Sequence, residues 1–120
     1  MYGMFVNCRK APFVSLMLDK CKRDETRSRN TLKPLIGQRV ALIETGTRKR
    51  PFIRGYATIT GAVQVSYDDT AARKAAGIYN TPYDIKPGVF KWFYRLADVE
   101  GTTPYSLPEH VNHGRAYTEF

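Results

Sequence analysis

Apolar residues in this chain fall in short runs separated by turn-forming residues, a pattern that predicts many strands and few helices. Met4 to Cys8 is an apolar run suited to an opening strand. Ala11-Pro12 starts a helix, with Pro12 tolerated in its first turn. Phe13, Leu16, Met17 and Cys21 then share one face at helical spacing and read as core. Asp24 to Arg29 is too polar for a core strand and suits an edge or cleft strand, followed by a loop over Asn30 to Pro34. Arg39 to Ile43 reads as a buried strand entered through Gly37 and leaving by the turn Thr45-Gly46-Thr47. Phe52 to Tyr67 is the longest β-like stretch, and Gly55 and Gly61 mark positions where a sheet bulges and bends.

Asp68-Asp69-Thr70 can cap a short helix from Ala71 to Ala76 that Gly77 ends. Asn80 to Gly88 reads as a loop. Phe90 to Val99 alternates, with Phe90, Trp92, Tyr94 and Leu96 on one face and Lys91, Phe93 and Arg95 on the other. From Gly101 onward Pro104 and Pro108 predict an irregular tail. The expected architecture is α+β, mainly β: a small closed or half-closed barrel of five or six strands with two short helices, in one domain spanning residues 1–120.

Composition adds that such a domain folds without staples, since a chain of 120 residues buries roughly two-thirds of its unfolded surface. Cys8 and Cys21 lie outside any metal-binding or redox spacing and read as reduced, mostly buried thiols. Met1 to Lys10 lacks a basic region followed by a long apolar run, so no signal peptide is expected, and no stretch is long and apolar enough for a membrane helix. A cytoplasmic protein without membrane association is the expectation.

Charge changes the picture more. The net charge is +8, split as +9 over residues 1–60 and −1 over residues 61–120. Such an excess favours a polyanionic partner, because phosphate contacts release counterions and steer association. Lys22, Glu25, Arg27 and Arg29 supply a dense group on the predicted cleft strand. In an extended chain Glu25, Arg27 and Arg29 share one face, Thr26 and Ser28 the other. Lys22, at the preceding turn, can converge with Glu25 and Arg27, where Arg27 would grip a phosphate or carbonyl through its planar fork. Arg48, Lys49 and Arg50, with Arg54 beyond, form a basic turn that either contacts phosphates or is an ordinary exposed hairpin end. Phe93, flanked by Lys91 and Arg95 on its own face, is a candidate for base stacking.

His110 and His113 form an H-x-x-H pair with only Glu109 and Asp98 nearby as further ligands, so no metal is expected. No phosphate-binding loop, dinucleotide fingerprint or nucleophile elbow is present, and no cofactor is expected.

Four segments together resemble the ASCH domain of the PUA-like superfamily. Leu16 to Arg27 (LMLDKCKRDETR) is similar to the family's helix, lysine turn and x-x-Glu-x-Arg strand. Gly37 to Ile43 (GQRVALI), Arg54 to Gly61 (RGYATITG) and Lys91 to Val99 (KWFYRLADV) resemble its later strands, in the family's order, and Pro104-Tyr105 follows them as in the family. Cys21 stands where the family's turn glycine precedes the lysine, and Arg23 stands where a threonine follows it. Lys22 is the better match for the lysine, with Lys20 as a competitor.

The resemblance implies a cleft that takes RNA or a modified nucleoside. Some small members of the group are amidohydrolases acting on N4-acetylcytidine with a lysine, a threonine and a glutamate; others are ribonucleases or RNA-binding adaptors. Carried over, Lys22 would be the catalytic lysine. The threonine falls at or near Glu25, and the acidic partner has no match. The leading expectation is an RNA- or nucleoside-binding basic cleft lined by Lys22, Arg27, Arg29, Arg48, Lys49, Arg50, Arg54, Phe93 and Tyr105. An amidohydrolase or ribonuclease using Lys22 and Glu25 is the alternative, and a protein-binding adaptor the second. By the family analogy Tyr105, Ser106, Arg115 and Tyr117 would line the cleft rim.

Overall fold

The computed structural model describes residues 1–87, 90–109, 111 and 116–120. Six strands make one sheet in the order β2-β5-β4-β3-β1-β6. They are β1 (Tyr2–Asn7), β2 (Asp24–Arg27), β3 (Arg39–Thr45), β4 (Phe52–Ser66), β5 (Phe90–Ser106) and β6 (Tyr117–Glu119), with helices α1 (Phe13–Leu18) and α2 (Thr70–Ile78). Two 3-10 turns, Lys33–Leu35 and Pro82–Asp84, complete the elements. β1 and β3 run parallel; every other neighbouring pair is antiparallel.

The runs Met4–Val6 and Val40–Ile43 are continuous rather than alternating because both faces of β1 and β3 are covered. Met4, Val6, Val40 and Leu42 join Val14, Met17, Leu32, Leu35, Ala57, Ile59, Tyr94 and Leu96 in the main core. Phe5, Ala41 and Ile43 face the other way, onto Ile53, Leu107 and Val111. β4 and β5 form a long curled hairpin-like pair whose register shifts at Ile53/Gly55, Tyr56/Thr58 and Ile59/Gly61, so Gly55 and Gly61 do sit at bulges. At Gly55 the strands approach so closely that a Cβ would lie 2.3 Å from the Glu100 carbonyl oxygen, which only glycine permits.

The curl leaves the barrel half open, because β2 and β6 are the two sheet ends. β6 covers only Tyr2–Met4 of β1. The second half of β1, Phe5–Asn7, therefore carries no strand on that side among the described residues and faces β2 across a seam.

Several expectations need correction. The strand from Phe90 does not stop at Val99 but continues through Gly101 to Ser106. Pro104 is tolerated because β2 pairs only with Trp92–Arg95, leaving the rest of that β5 edge without a ladder to satisfy. The tail also contains a strand, β6, paired to β1. Gly77 lies inside α2 rather than ending it, while the cap falls where expected, with the Asp69 side chain accepting the Ala72 N–H at 3.1 Å. α1 ends at Leu18, so Cys21 lies beyond the helix and is exposed, while Cys8 is buried. No helix among the described residues is long and apolar enough to cross a membrane.

Candidate functional site

The turn between α1 and β2 sets the site. The Lys20 N–H donates to the Met17 carbonyl at 3.1 Å, and the Cys21 and Lys22 N–H groups both donate to the Leu16 carbonyl, at 2.9 and 3.1 Å. That tight wrap needs one left-handed residue, and Lys20 takes it at φ 64°. A non-glycine there is strained by roughly 1–2 kcal/mol. Its ammonium is tied to the Val99 carbonyl at 2.9 Å, which makes Lys20 a structural residue and leaves the interior position to Lys22.

Lys22 is 2% exposed, and its Nζ meets Asp84 Oδ1 at 2.6 Å. The same carboxylate oxygen accepts the Thr26 hydroxyl at 2.6 Å. Asp84 Oδ2 accepts the Thr81 N–H at 2.8 Å and the Thr81 hydroxyl at 2.9 Å. Four donors thus converge on one buried carboxylate. Thr81 and Asp84 form a capping box around the 3-10 turn Pro82–Asp84, and this fixes the carboxylate before any ligand arrives. Burial by itself would raise the Asp84 pKa. The Lys22 charge and the hydrogen bonds from Lys22, Thr26 and Thr81 outweigh it and hold the carboxyl below its ordinary range.

Glu25 and Arg27 point to the opposite face of β2 from Thr26. Arg27 Nη2 donates to Glu25 Oε2 at 2.8 Å and to the Phe5 carbonyl of β1 at 2.5 Å, so one guanidinium spans the seam. Around this seam opens a cleft of about 430 Å³, within the size range of small-molecule sites. Glu25, Thr26, Arg27 and Asp84 line it, with Phe5, Val6, Asn7 and Thr45 on one wall and Lys10, Lys86 and Lys91 at the rim. Phe13 and Tyr83 also line it, packed edge to face with centroids 5.9 Å apart. Phe13 in turn lies 5.5 Å beneath the Lys22 ammonium.

The residues singled out from sequence therefore separate. Glu25 and Arg27 line the cleft, whereas Lys22, expected there, is buried behind the lining and sides with Thr26 and Asp84 rather than with the Glu25–Arg27 pair. Arg29 is exposed just beyond β2, off the cleft lining. The basic turn lies elsewhere: Arg48 stacks on Phe52 at 4.0 Å, Arg50 pairs with Glu109 at 2.9 Å, and Arg54 pairs with Glu44 at 2.7 Å; Lys49 is exposed. Phe93, expected to offer a stacking face, is 2% exposed. It pairs across β5 and β2 with Thr26, on the face that the Asp84 segment covers. Tyr105 bonds Tyr56 hydroxyl to hydroxyl at 2.6 Å, away from the cleft; partial desolvation and that bond push its pKa up to about 12. Ser106 belongs to β5 and Tyr117 to β6, and neither lines the cleft. His110, His113 and Arg115 lie outside the described residues. Among the described residues no three of His, Cys, Asp and Glu gather as a metal site.

Sequence reasoning missed Thr26, Asp84, Phe13 and Tyr83. The signal for the Asp84 turn was present, since Thr81-Pro82-Tyr83-Asp84 places a capping residue, a proline at the first helical position and an acid three residues after the cap. Nothing local says that this acid would meet Lys22, 62 residues earlier.

Chemically, the arrangement offers a hydroxyl bonded to an ionised carboxylate, an ammonium on the same oxygen, and an aromatic wall beside them.

No protein-family model and no curated protein matches this chain. Solved structures do. The crystal structure of ASCH from Zymomonas mobilis superposes with a TM-score of 0.65 at 17% identity, covering 88% of this chain and 73% of that one. Two single-residue variants of that protein give TM-scores of 0.65 and 0.64 at 16% and 20% identity, each covering 88% of this chain and 75% and 73% of the variant. With the open six-stranded sheet, this defines a half-open PUA-like barrel. Within that class the fold is ASCH-like, over most of the chain.

Proposed function

We propose that this domain binds a single modified nucleoside in the seam cleft and hydrolyses an acyl group from its exocyclic nitrogen, with N4-acetylcytidine as the test substrate. The observation that carries this reading is the shared bonding of Lys22 Nζ and Thr26 Oγ1 to Asp84 Oδ1, both at 2.6 Å, at a cleft of nucleoside size. The small amidohydrolases use a lysine, a hydroxyl and a carboxylate, and on this reading Lys22, Thr26 and Asp84 would take those parts, with Glu25 outside the set.

In this reading the base stacks on one of the Phe13 and Tyr83 rings and meets the other at its edge, since the two stand at 86° to each other. Thr26 Oγ1 attacks the acyl carbonyl carbon, and its proton passes to Asp84. The Lys22 ammonium stabilises the negative charge that develops beside it. The carbon–nitrogen bond then breaks, and the departing amine takes the proton from Asp84. Water cleaves the resulting Thr26 ester, which restores the hydroxyl and releases the carboxylic acid. A cytoplasmic setting suits a chain with two unpaired thiols.

The test is to incubate the full chain with N4-acetylcytidine and follow cytidine. Release of cytidine that disappears in Lys22→Ala is expected; release that survives in Lys22→Ala would remove Lys22 from the mechanism. Binding without turnover is the second reading, and the net charge of +8 favours it. It predicts no cytidine, together with RNA affinity that falls steeply with salt.

A further inference from the structure

Three lysines from three separate segments line the cleft, two of them exposed and the third half-buried: Lys10 between β1 and α1, Lys86 after the Pro82–Asp84 turn, and Lys91 on β5. The two carboxylates of the cleft already have their own cations. Asp84 is held by Lys22 at 2.6 Å and Glu25 by Arg27 at 2.8 Å. Among the described residues none of the three lysines forms an ion pair, whereas Arg39, Arg50, Arg54 and Arg95 all do, with Glu100, Glu109, Glu44 and Asp24. Three lysines lining one cleft with no ion pair among the described residues repel one another, and a cleft with low-dielectric walls concentrates their field. Such a rim is matched by an anion at the entrance, while the neutral interior pairs and the Phe13–Tyr83 wall suit an uncharged base.

We infer that the ligand of this cleft is a nucleotide rather than a free nucleoside, its phosphate held at the mouth by Lys10, Lys86 and Lys91. The inference rests on the nucleoside reading above and specifies the substrate class of the same site. The phosphate comes either from a mononucleotide or from the backbone of an RNA strand whose acylated base enters the cleft. Both put a phosphate on the ribose that stands at the rim.

The experiment is calorimetric titration of the full chain with N4-acetylcytidine, with its 5′-monophosphate, with a short oligoribonucleotide containing the same base, and with inorganic phosphate. One of the phosphate-bearing nucleosides is expected to bind about tenfold or more tightly than the free nucleoside, the gain of one charge-assisted contact or better. That ratio should fall toward one in the triple variant Lys10→Gln/Lys86→Gln/Lys91→Gln, whose folding is checked by its thermal midpoint. Which of the two phosphate forms gains identifies the source. Equal affinity for nucleoside and nucleotide, or a ratio that the triple variant preserves, overturns the phosphate site and leaves the nucleoside reading intact. Binding of inorganic phosphate that needs the three lysines, without binding of any nucleoside, supports the phosphate site and overturns the nucleoside reading instead. Absence of all four interactions overturns both.

Discussion

Asp84 is the residue on which the cleft depends most. Its carboxylate takes four donors from three segments of chain, and the only buried lysine in the structure's described part leans on it. Asp84→Asn removes the negative charge but leaves the Lys22 ammonium buried, so a loss of about 3–5 kcal/mol is expected in denaturant titration. The pH dependence follows from the direction of its shift. A carboxyl held below its unfolded value, about 3.9, contributes its full stability above that pH and loses it as pH falls through the lower folded value. Acid unfolding of the parent chain should therefore steepen below about pH 4, and Asp84→Asn should flatten that limb. A variant with the parent's acid limb would show that another carboxylate controls it. Lys20 offers the opposite prediction. Lys20→Gly relieves the left-handed strain and gives up an exposed hydrogen bond, so the thermal midpoint should rise, by the equivalent of about 0.5–1 kcal/mol.

The residue scale is also where the sequence was least informative. The spacing of Lys22 to Glu25 and Arg27 pointed to a shared cluster, whereas folding buries Lys22 against Asp84 and leaves Glu25 to Arg27. Thr26 was visible as lying on the face opposite Glu25, and that is where it lies; its value came only from Asp84. Phe93 misled because flanking cations suggest exposure, while burial depends on what covers the strand, which alternation cannot report.

At the scale of elements, patterning predicted β3, β4 and the start of β5, and the glycine bulges of β4 lie where local chemistry put them. The end of β5 and all of β6 were lost. Prolines argue against strands only where a ladder needs their N–H, and whether β5 has a neighbour there is decided by the short length of β2. The approach of β4 to β5 can be tested directly. Gly55→Ala would put a methyl against the Glu100 carbonyl and force the strands apart, with an expected loss of about 1–3 kcal/mol in chemical denaturation. The same change at Gly61, where a Cβ meets nothing within 4 Å, should cost far less. Equal costs would mean that close packing at Gly55 is not what requires the glycine.

For the whole molecule, the important fact is that the barrel does not close. A complete β1–β2 ladder would fill the seam where the cleft opens, and among the described residues Arg27 spans it, donating to Glu25 and to the Phe5 carbonyl. Arg27→Met keeps the apolar stem and removes both bonds. Amide hydrogen exchange should then quicken at Phe5–Asn7 and Asp24–Arg27 while the centre of β3 and β4 keeps its protection. Uniform quickening would assign Arg27 to global stability instead. The overall charge, legible from the sequence as a basic first half, is reshaped by folding: the Arg54 and Arg50 charges are paired, and the cleft cations without an ion pair among the described residues are Lys10, Lys86 and Lys91, of which the sequence pointed only to Lys91, as a neighbour of Phe93.

The central claim is that Lys22, Thr26 and Asp84 work as one catalytic unit, and a double-mutant cycle on cytidine release from N4-acetylcytidine tests it most directly. Thr26→Val and Asp84→Asn should each lower kcat/KM by about a hundredfold or more, and the double variant should be no worse than the poorer single one. Losses that multiply in the double variant, or a Thr26→Val chain that still turns over at the parent rate, would contradict it.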